Sequence, residues 1–268
     1  MIRMYWWQGG HGTGNFGDKL APALVQALSG QPVAFAPIEK SELLAIGSCL
    51  EPWLWPDESW LTYEGTIWGA GRLQGNSQMR FPRAEIAATR GELTLASLNV
   101  PARSEAAVGD PALLCGHLHY APCRPRYKLG IWPHWSEGKN RELQQIAASS
   151  AEIVMIDPCG DVRDTLELAA QCEFIASSAL HGLVVADALE IPNCWIRAQS
   201  SNKSLLPTFK FLDYFSAFQM PPPLPRVVTA AADLNSLLPQ MNSDRHVDAA
   251  RLRDDLMSSF PYGRVLAI

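Results

Sequence analysis

The 268-residue sequence has no apolar run approaching the ~20 residues that a membrane-spanning helix requires; Pro, Gly or a charged residue interrupts each one. The opening MIRMYWWQGG lacks a long apolar stretch with a small-residue cleavage site, so no secretion leader is expected and the cytoplasm is the expected location. There is no CxxC pair: the six cysteines, at 49, 115, 123, 159, 172 and 194, are scattered and read as reduced thiols. Also missing is any cluster of Lys and Arg interleaved with aromatics, which, with a formal net charge of −5, argues against a nucleic-acid partner. Charged residues make up only 18% of the chain and hydrophobic residues 47%, a globular balance that excludes a disordered or fibrous chain.

One group of metal-capable residues stands out. Cys115, His117, His119 and Cys123 lie within CGHLHYAPC. In an extended segment the first three would share one face, but their spacing matches no standard zinc module and no metal is expected. Nine tryptophans are many for this length; most are expected in the core, although an indole face also suits a sugar ring.

Short apolar runs alternate with longer amphipathic ones. Strands are predicted at 2–7, 33–38, 43–46, 66–68, 85–89, 106–108, 128–132, 152–156, 173–176 and 193–197. Helices are predicted at 18–28, 92–98, 139–148, 163–171, 182–189 and 246–258. This alternation points to an α/β fold of parallel sheets covered by helices. APCRPR at 121–126 and PPPLP at 221–225 mark breaks, dividing the chain into domains at 1–124 and 125–225 and a helical tail at 226–268 that packs back on the body.

In open parallel sheets ligands bind beyond the carboxyl ends of the strands, so the turns there carry the chemistry. In GTGNFGDKL, Gly12, Gly14 and Gly17 spell GxGxxG between a strand and a helix, with Glu39 ending the next strand, the pattern of a dinucleotide site. Asp18 opposes that reading: placed at the helix N-cap, its charge would repel a pyrophosphate. Asn15 and Asp18 are instead expected to hold a neutral polyol, or merely to build the turn.

FIASSALHGLVVADALEIPN brings Ser177 and Ser178 to a strand end, with His181 and Gly182 opening a helix. Two hydroxyls and a helix N-terminus suit an anion, and His181 beside them can exchange protons near neutral pH. A capping histidine without chemistry is the plain alternative. In LGIWPHWSEG a third turn carries His134 and Trp135, expected on the same sheet edge. ATRGELT offers Arg90 and Thr94, and PTFKFLDY offers Lys210 and Asp213; the two cations could neutralise an anionic ligand or be solvated surface charges.

WWQ...NFGDKL, AATRGELTLASL, AAVGDPALL, the PHW turn, SSALHGLVVADALEIPN, KFLDYF and the closing FPY together resemble the polysaccharide pyruvyltransferases, in particular the short bacterial ketal pyruvyltransferases of exopolysaccharide assembly, xanthan-type. The resemblance runs in order through nearly the whole chain. It implies two Rossmann-like domains facing a cleft, GT-B-like, with the first on the acceptor side and the second on the donor side. Phosphoenolpyruvate would be the donor and co-substrate, with no further cofactor and no metal. The acceptor would be a sugar, free or lipid-linked, and any membrane association at most peripheral, at the inner face of the cell membrane. Many members have Arg where this chain has Ala179, some short bacterial ones Ser, which makes Arg90 and Lys210 the leading cations for the donor.

Ketal formation needs proton transfers near neutrality, which suit histidine. The catalytic residues are expected to be His181 as general acid and His134 or Asp18 as base. Ser177, Ser178, Gly182, Arg90 and Lys210 are expected to bind the donor, and Asn15, Gly17 and Trp135 the acceptor. A nucleotide-sugar glycosyltransferase, a non-catalytic sugar-binding relative and, last, a nicotinamide-dependent oxidoreductase are the alternatives.

Overall fold

A computed structural model describes residues 1–9, 14–98, 105–118, 124–201, 208–218, 220–238 and 245–263, apart from the side chains of 235, 237, 246 and 247. The chain divides into two compact units. The first comprises Met1–Leu118, Pro207–Pro222 and Ala250–Ile268, the second His119–Leu206 and Pro223–Ala249. No helix among the described residues is long and apolar enough to cross a membrane.

In the first unit, β1 (Ile2–Tyr5), β2 (Val33–Phe35), β3 (Leu43–Leu44), β4 (Thr66–Trp68), β5 (Glu85–Thr89) and β6 (Ala107–Val108) form a sheet of order β2-β1-β3-β4-β5-β6. Every described pairing in it is parallel. α1 (Phe16–Ser29) follows β1 and α2 (Glu92–Ser97) follows β5. α1 starts where Asn15 caps it and stops at Gly30, whose φ of 65° is the left-handed conformation that favours glycine. Leu44, Trp55, Tyr63, Ile67 and Phe81 anchor the core, with the Trp55 ring meeting those of Tyr63 and Phe81 edge-on at 5.1 and 5.3 Å.

The second unit carries β7 (Tyr127–Trp132), β8 (Ile153–Met155), β9 (Cys172–Ser177) and β10 (Asn193–Ala198), with α3 (Arg141–Ala148), α4 (Val162–Ala170) and α5 (Leu180–Ala188) between them. The chain then returns to the first unit as α6 (Phe209–Ser216) before adding β11 (Arg226–Val228) and α7 (Ala231–Leu237) to the second. The second sheet runs β11-β10-β9-β7-β8, again parallel. α8 (Arg245–Ser258) begins in the second unit and ends in the first, where the Trp68 indole N–H donates to the Leu256 carbonyl at 3.1 Å.

All ten expected strands form, some of them shorter at one or both ends. The domain assignment needs correction. Residues 207–222 belong with the first unit because Asp213 on α6 is the partner of Arg90. The segment from 226 onward is not a purely helical tail, since β11 extends the second sheet. α6, short and dense in aromatics, was not expected, and α7 falls within the expected helical tail although no separate helix was placed there. The stretch at Cys115 and His117, whose side chains would share a face only if it were extended, is a 3-10 turn, Pro111–His117, while His119 and Cys123 lie outside the described residues. Among the described residues no group of three metal-capable side chains assembles.

α6 docks where Gly91 has no side chain. A Cβ at Gly91 would overlap the Asp213 carbonyl oxygen, so the close approach requires glycine. Gly91→Ala is expected to cost ~1–3 kcal/mol by overpacking and to lower Tm by ~2–10 °C in thermal unfolding of the full chain. An unchanged Tm would contradict this docking.

Candidate functional site

At the carboxyl edge of the first sheet, Arg90 directly follows β5. Its Nε donates to Asp213 Oδ2 at 2.9 Å, its Nη1 to Ser48 Oγ at 3.2 Å and its Nη2 to the Arg72 carbonyl oxygen. Asp213 in turn accepts the Thr94 N–H and hydroxyl, both at 2.7 Å. Arg90 is 1% exposed and Asp213 fully buried. Three of the Arg90 donors are thus held by the protein itself, and it is no solvated surface charge. Behind it, Arg72 and Glu51 form a second buried pair at 3.5 Å, with Glu51 Oε1 accepting the N–H groups of Leu73 and Gln74. Neither was expected, although GAGR at the end of β4 occupies the kind of strand end that carries such residues.

Asp18 is not the N-cap. Asn15 is, and the two form a capping box: Asn15 Oδ1 accepts the Asp18 N–H, and Asp18 Oδ2 accepts the Asn15 N–H, each at 3.3 Å. The Asn15 oxygen is thus used by the helix, and Gly17 is buried inside its first turn. Gly12 lies outside the described residues. Asp18 is 5% exposed, and burial pushes its carboxyl from 3.8 up to about 7, opposed by Asn15 and the charge of Lys210. Lys210, on α6, is drawn down from 10.5 to about 8 by burial and by Arg90, against the pull of Asp18. Asp110 is likewise raised to about 6 by burial.

The second unit presents a different arrangement. β7 and β9 pair with Trp132 opposite Ser177, so the turns that follow them share one sheet edge and bring His134 and His181 to it. The His134 N–H donates to Ser178 Oγ at 2.9 Å, and Ser178 donates onward to Glu137 Oε2 at 2.6 Å. Ser201 donates to the other Glu137 oxygen. His134 caps its own turn, with Nδ1 accepting the Ser136 N–H at 3.4 Å and lying 2.8 Å from Ser136 Oγ. Trp135 beside it is 47% exposed, whereas Trp132 is core.

Ser177 Oγ lies 2.8 Å from the carbonyl oxygens of both Trp132 and Ala179, either of which can take its single hydrogen, and it accepts the Ala179 N–H at 3.0 Å. A Cβ on Gly182 would overlap Ser177 Oγ and crowd Trp132. Ser177, Ser178 and Gly182 therefore build the turn. His181 is half-buried in the first turn of α5, a helix whose N-cap, Ala179, supplies no side-chain oxygen. Sequence reasoning missed Glu137, the anchor of this turn. It also missed the buried Arg245–Asp187 pair, in which Arg245 donates to both Asp187 oxygens at 3.0 and 3.2 Å and to Asn193 Oδ1 at 2.7 Å.

Comparison with known proteins bears on the same turns. Residues 78–200 match the family model described as polysaccharide pyruvyl transferase. The chain is similar to the succinoglycan biosynthesis protein ExoV of Rhizobium meliloti (strain 1021), 28% identical over 214 residues, 80% of this chain and 64% of that protein. It is also similar to the uncharacterized protein L143 of Acanthamoeba polyphaga mimivirus, 32% identical over 161 residues, 57% of this chain and 54% of that one. The chain thus spans less than two thirds of either relative. A crystal structure of the glycosyltransferase SnogD from Streptomyces nogalater matches with a TM-score of 0.39 and 14% identity, covering 83% of this chain and 70% of that one. The family match includes Arg90, His134, Trp135, Ser177, Ser178, His181 and Gly182, and leaves Asn15, Gly17, Asp18 and Lys210 outside it.

Two outcomes follow. Ser178→Ala strands the buried Glu137 carboxylate and the His134 N–H, and should cost ~1–3 kcal/mol in thermal unfolding; an unaffected Tm would contradict the network. For Asp18 the folded pKa lies above the unfolded one, so the native state holds the extra proton and stability falls as pH rises from about 4 through about 7. Asp18→Asn removes that fall. A Tm series should therefore show the variant gaining on the parent across this interval, and a constant difference would contradict the assignment.

Proposed function

We propose that this chain transfers the pyruvyl group of phosphoenolpyruvate to two hydroxyls of a sugar, closing a cyclic ketal. The observation that carries the reading is the placement of His134 and His181 on one carboxyl edge, both inside the segment that matches the family model. In this reading His181 protonates the methylene carbon of the enol, creating a cationic centre at the carbon that bears the phosphate. One sugar hydroxyl attacks that centre, phosphate leaves, and the second hydroxyl closes the ring. The two hydroxyl protons are accounted for by the new methyl group and the departing phosphate. His134 or Asp18 serves as base, Lys210 supplies positive charge toward the donor, and the exposed Trp135 indole offers a face to the acceptor.

The acceptor is then a sugar of an exopolysaccharide or of its lipid-linked repeat unit, handled in the cytoplasm or at the inner face of the membrane. Beyond phosphoenolpyruvate as co-substrate the reading calls for no cofactor or metal. The test combines the protein, phosphoenolpyruvate and a panel of lipid-linked and model glycosides, with phosphate release and product mass as readouts. Pyruvylated glycoside is expected, and His181→Ala should lower turnover by ~10²–10⁴. Protection against thermal unfolding by nucleotide sugars but not by phosphoenolpyruvate would overturn the reading in favour of glycosyl transfer.

A further inference from the structure

Glu137 ends a 3-10 turn, Trp135–Glu137, in the loop after β7 and is 6% exposed. One of its oxygens accepts the Ser178 hydroxyl, from the turn after β9, at 2.6 Å; the other accepts the Ser201 hydroxyl, from the turn after β10. β7, β9 and β10 are neighbours in the second sheet, so a single carboxylate gathers the turns that follow three adjacent strands. Among the described residues no Lys, Arg or His forms an ion pair with it. Burying a carboxylate without a cation is costly, and a neutral amide could accept the same hydroxyls with less desolvation. What the charge adds is bonds that are shorter, stronger and more tightly directed.

The two limbs of this clasp differ. Ser178, 1% exposed, accepts the His134 N–H at 2.9 Å, while its own N–H donates to the Trp132 carbonyl oxygen at 3.0 Å. A serine hydroxyl has one hydrogen; with that hydrogen given to Glu137, its lone pairs are left to face the His134 N–H. One buried hydroxyl therefore ties the backbone of His134 to the turn that leads into α5 and His181. Ser201 carries no such connection: its described hydrogen bonds reach Glu137 and the Ala198 carbonyl oxygen. Its neighbour Ser200 is held separately by Glu142 Oε2, which accepts the Ser200 N–H at 2.9 Å and its hydroxyl at 2.7 Å, so the turn after β10 has an anchor of its own.

We propose that Glu137 is a positioning residue for the two histidines. By holding the Ser178 hydrogen it fixes the turn of His134 to the turn of His181, and through them the separation of the two imidazoles. The proposal rests on the ketal reading above, with His134 as its base and His181 as its acid. Glu137 itself touches no reacting atom, and its proton state does not change in the reaction. Its contribution is geometric: proton transfer falls off steeply when donor and acceptor are displaced by as little as ~1 Å, and a hydroxyl free to rotate would let the His134 turn shift by such amounts.

The test sets one limb of the clasp against the other in the full chain. Glu137→Gln keeps the size of the side chain but leaves one accepting oxygen for two serine hydroxyls. It should lower kcat for glycoside pyruvylation ~10–100-fold with the KM for phosphoenolpyruvate little changed. Ser178→Ala should lower kcat by a similar factor and the double variant no further, because both break the same limb. Ser201→Ala removes the other bond of the same carboxylate and should lower kcat by less than about threefold. A second readout does not depend on turnover: in spectra of protein carrying 13C-labelled histidine, with His134→Gln and His181→Gln assigning the signals, both ring resonances should move in Glu137→Gln and in Ser178→Ala and stay in place in Ser201→Ala. Rings unmoved by Glu137→Gln, or a Ser201→Ala loss as large as the Glu137→Gln loss, overturns the positioning role alone. If Glu137→Gln does not fold, Ser178→Ala against Ser201→Ala decides by the same two readouts. No transfer by the parent protein overturns the ketal reading and the positioning role with it.

Discussion

The ion pair between Arg90 and Asp213 is the contact on which the first unit depends. It joins residues 123 positions apart, returns α6 to a sheet from which the chain has already departed, and is wholly removed from water. Burying two charges is expensive, and the pair is tolerable only because other hydrogen bonds complete both ends. Thr94 completes the carboxylate; Ser48 and the Arg72 carbonyl complete the guanidinium. Gly91 lets the α6 backbone come close enough for this to happen. Lys210 stands one turn earlier on the same helix, so the salt bridge also holds its backbone in place.

The second unit solves a similar problem with neutral donors and a single acid. Glu137 gathers the hydroxyls of Ser178 and Ser201, and Ser178 holds the His134 backbone. Arg90, Ser177, Ser178 and Asn15, expected at the strand ends, all make hydrogen bonds that build the turns around them. Burial raises the carboxyl of Asp18 and lowers the ammonium of Lys210. In both groups burial is the largest cause of the shift, because it penalises the charged form.

The strands are legible in the sequence because apolar runs such as EIAAT and LGIW, closed by Gly, Pro or a polar turn, leave little choice of period. The turns that carry His134, His181, Arg90 and Asp18 are legible for the same reason, as they stand at strand ends. What could not be read was which partner each polar residue would find. Arg90 and Asp213, or Glu51 and the Leu73 and Gln74 N–H groups, meet only through the fold, and no local pattern announces them. α6 escaped for a related reason: FKFLDYFS is held as a helix on the first unit by contacts that lie far away in sequence. The Asn15–Asp18 capping box was within reach, since N-x-x-D before an apolar run is a helix-start signal.

The most direct test of the account is a double-mutant cycle on the buried pair, with Arg90→Met, Asp213→Asn and the double variant compared in urea unfolding of the full chain. If the pair is the lock of the first unit, each single change strands a buried charge and costs ~3–5 kcal/mol, while the double variant loses far less than the sum. Losses that simply add, or an Arg90→Met variant as stable as the parent, would contradict it.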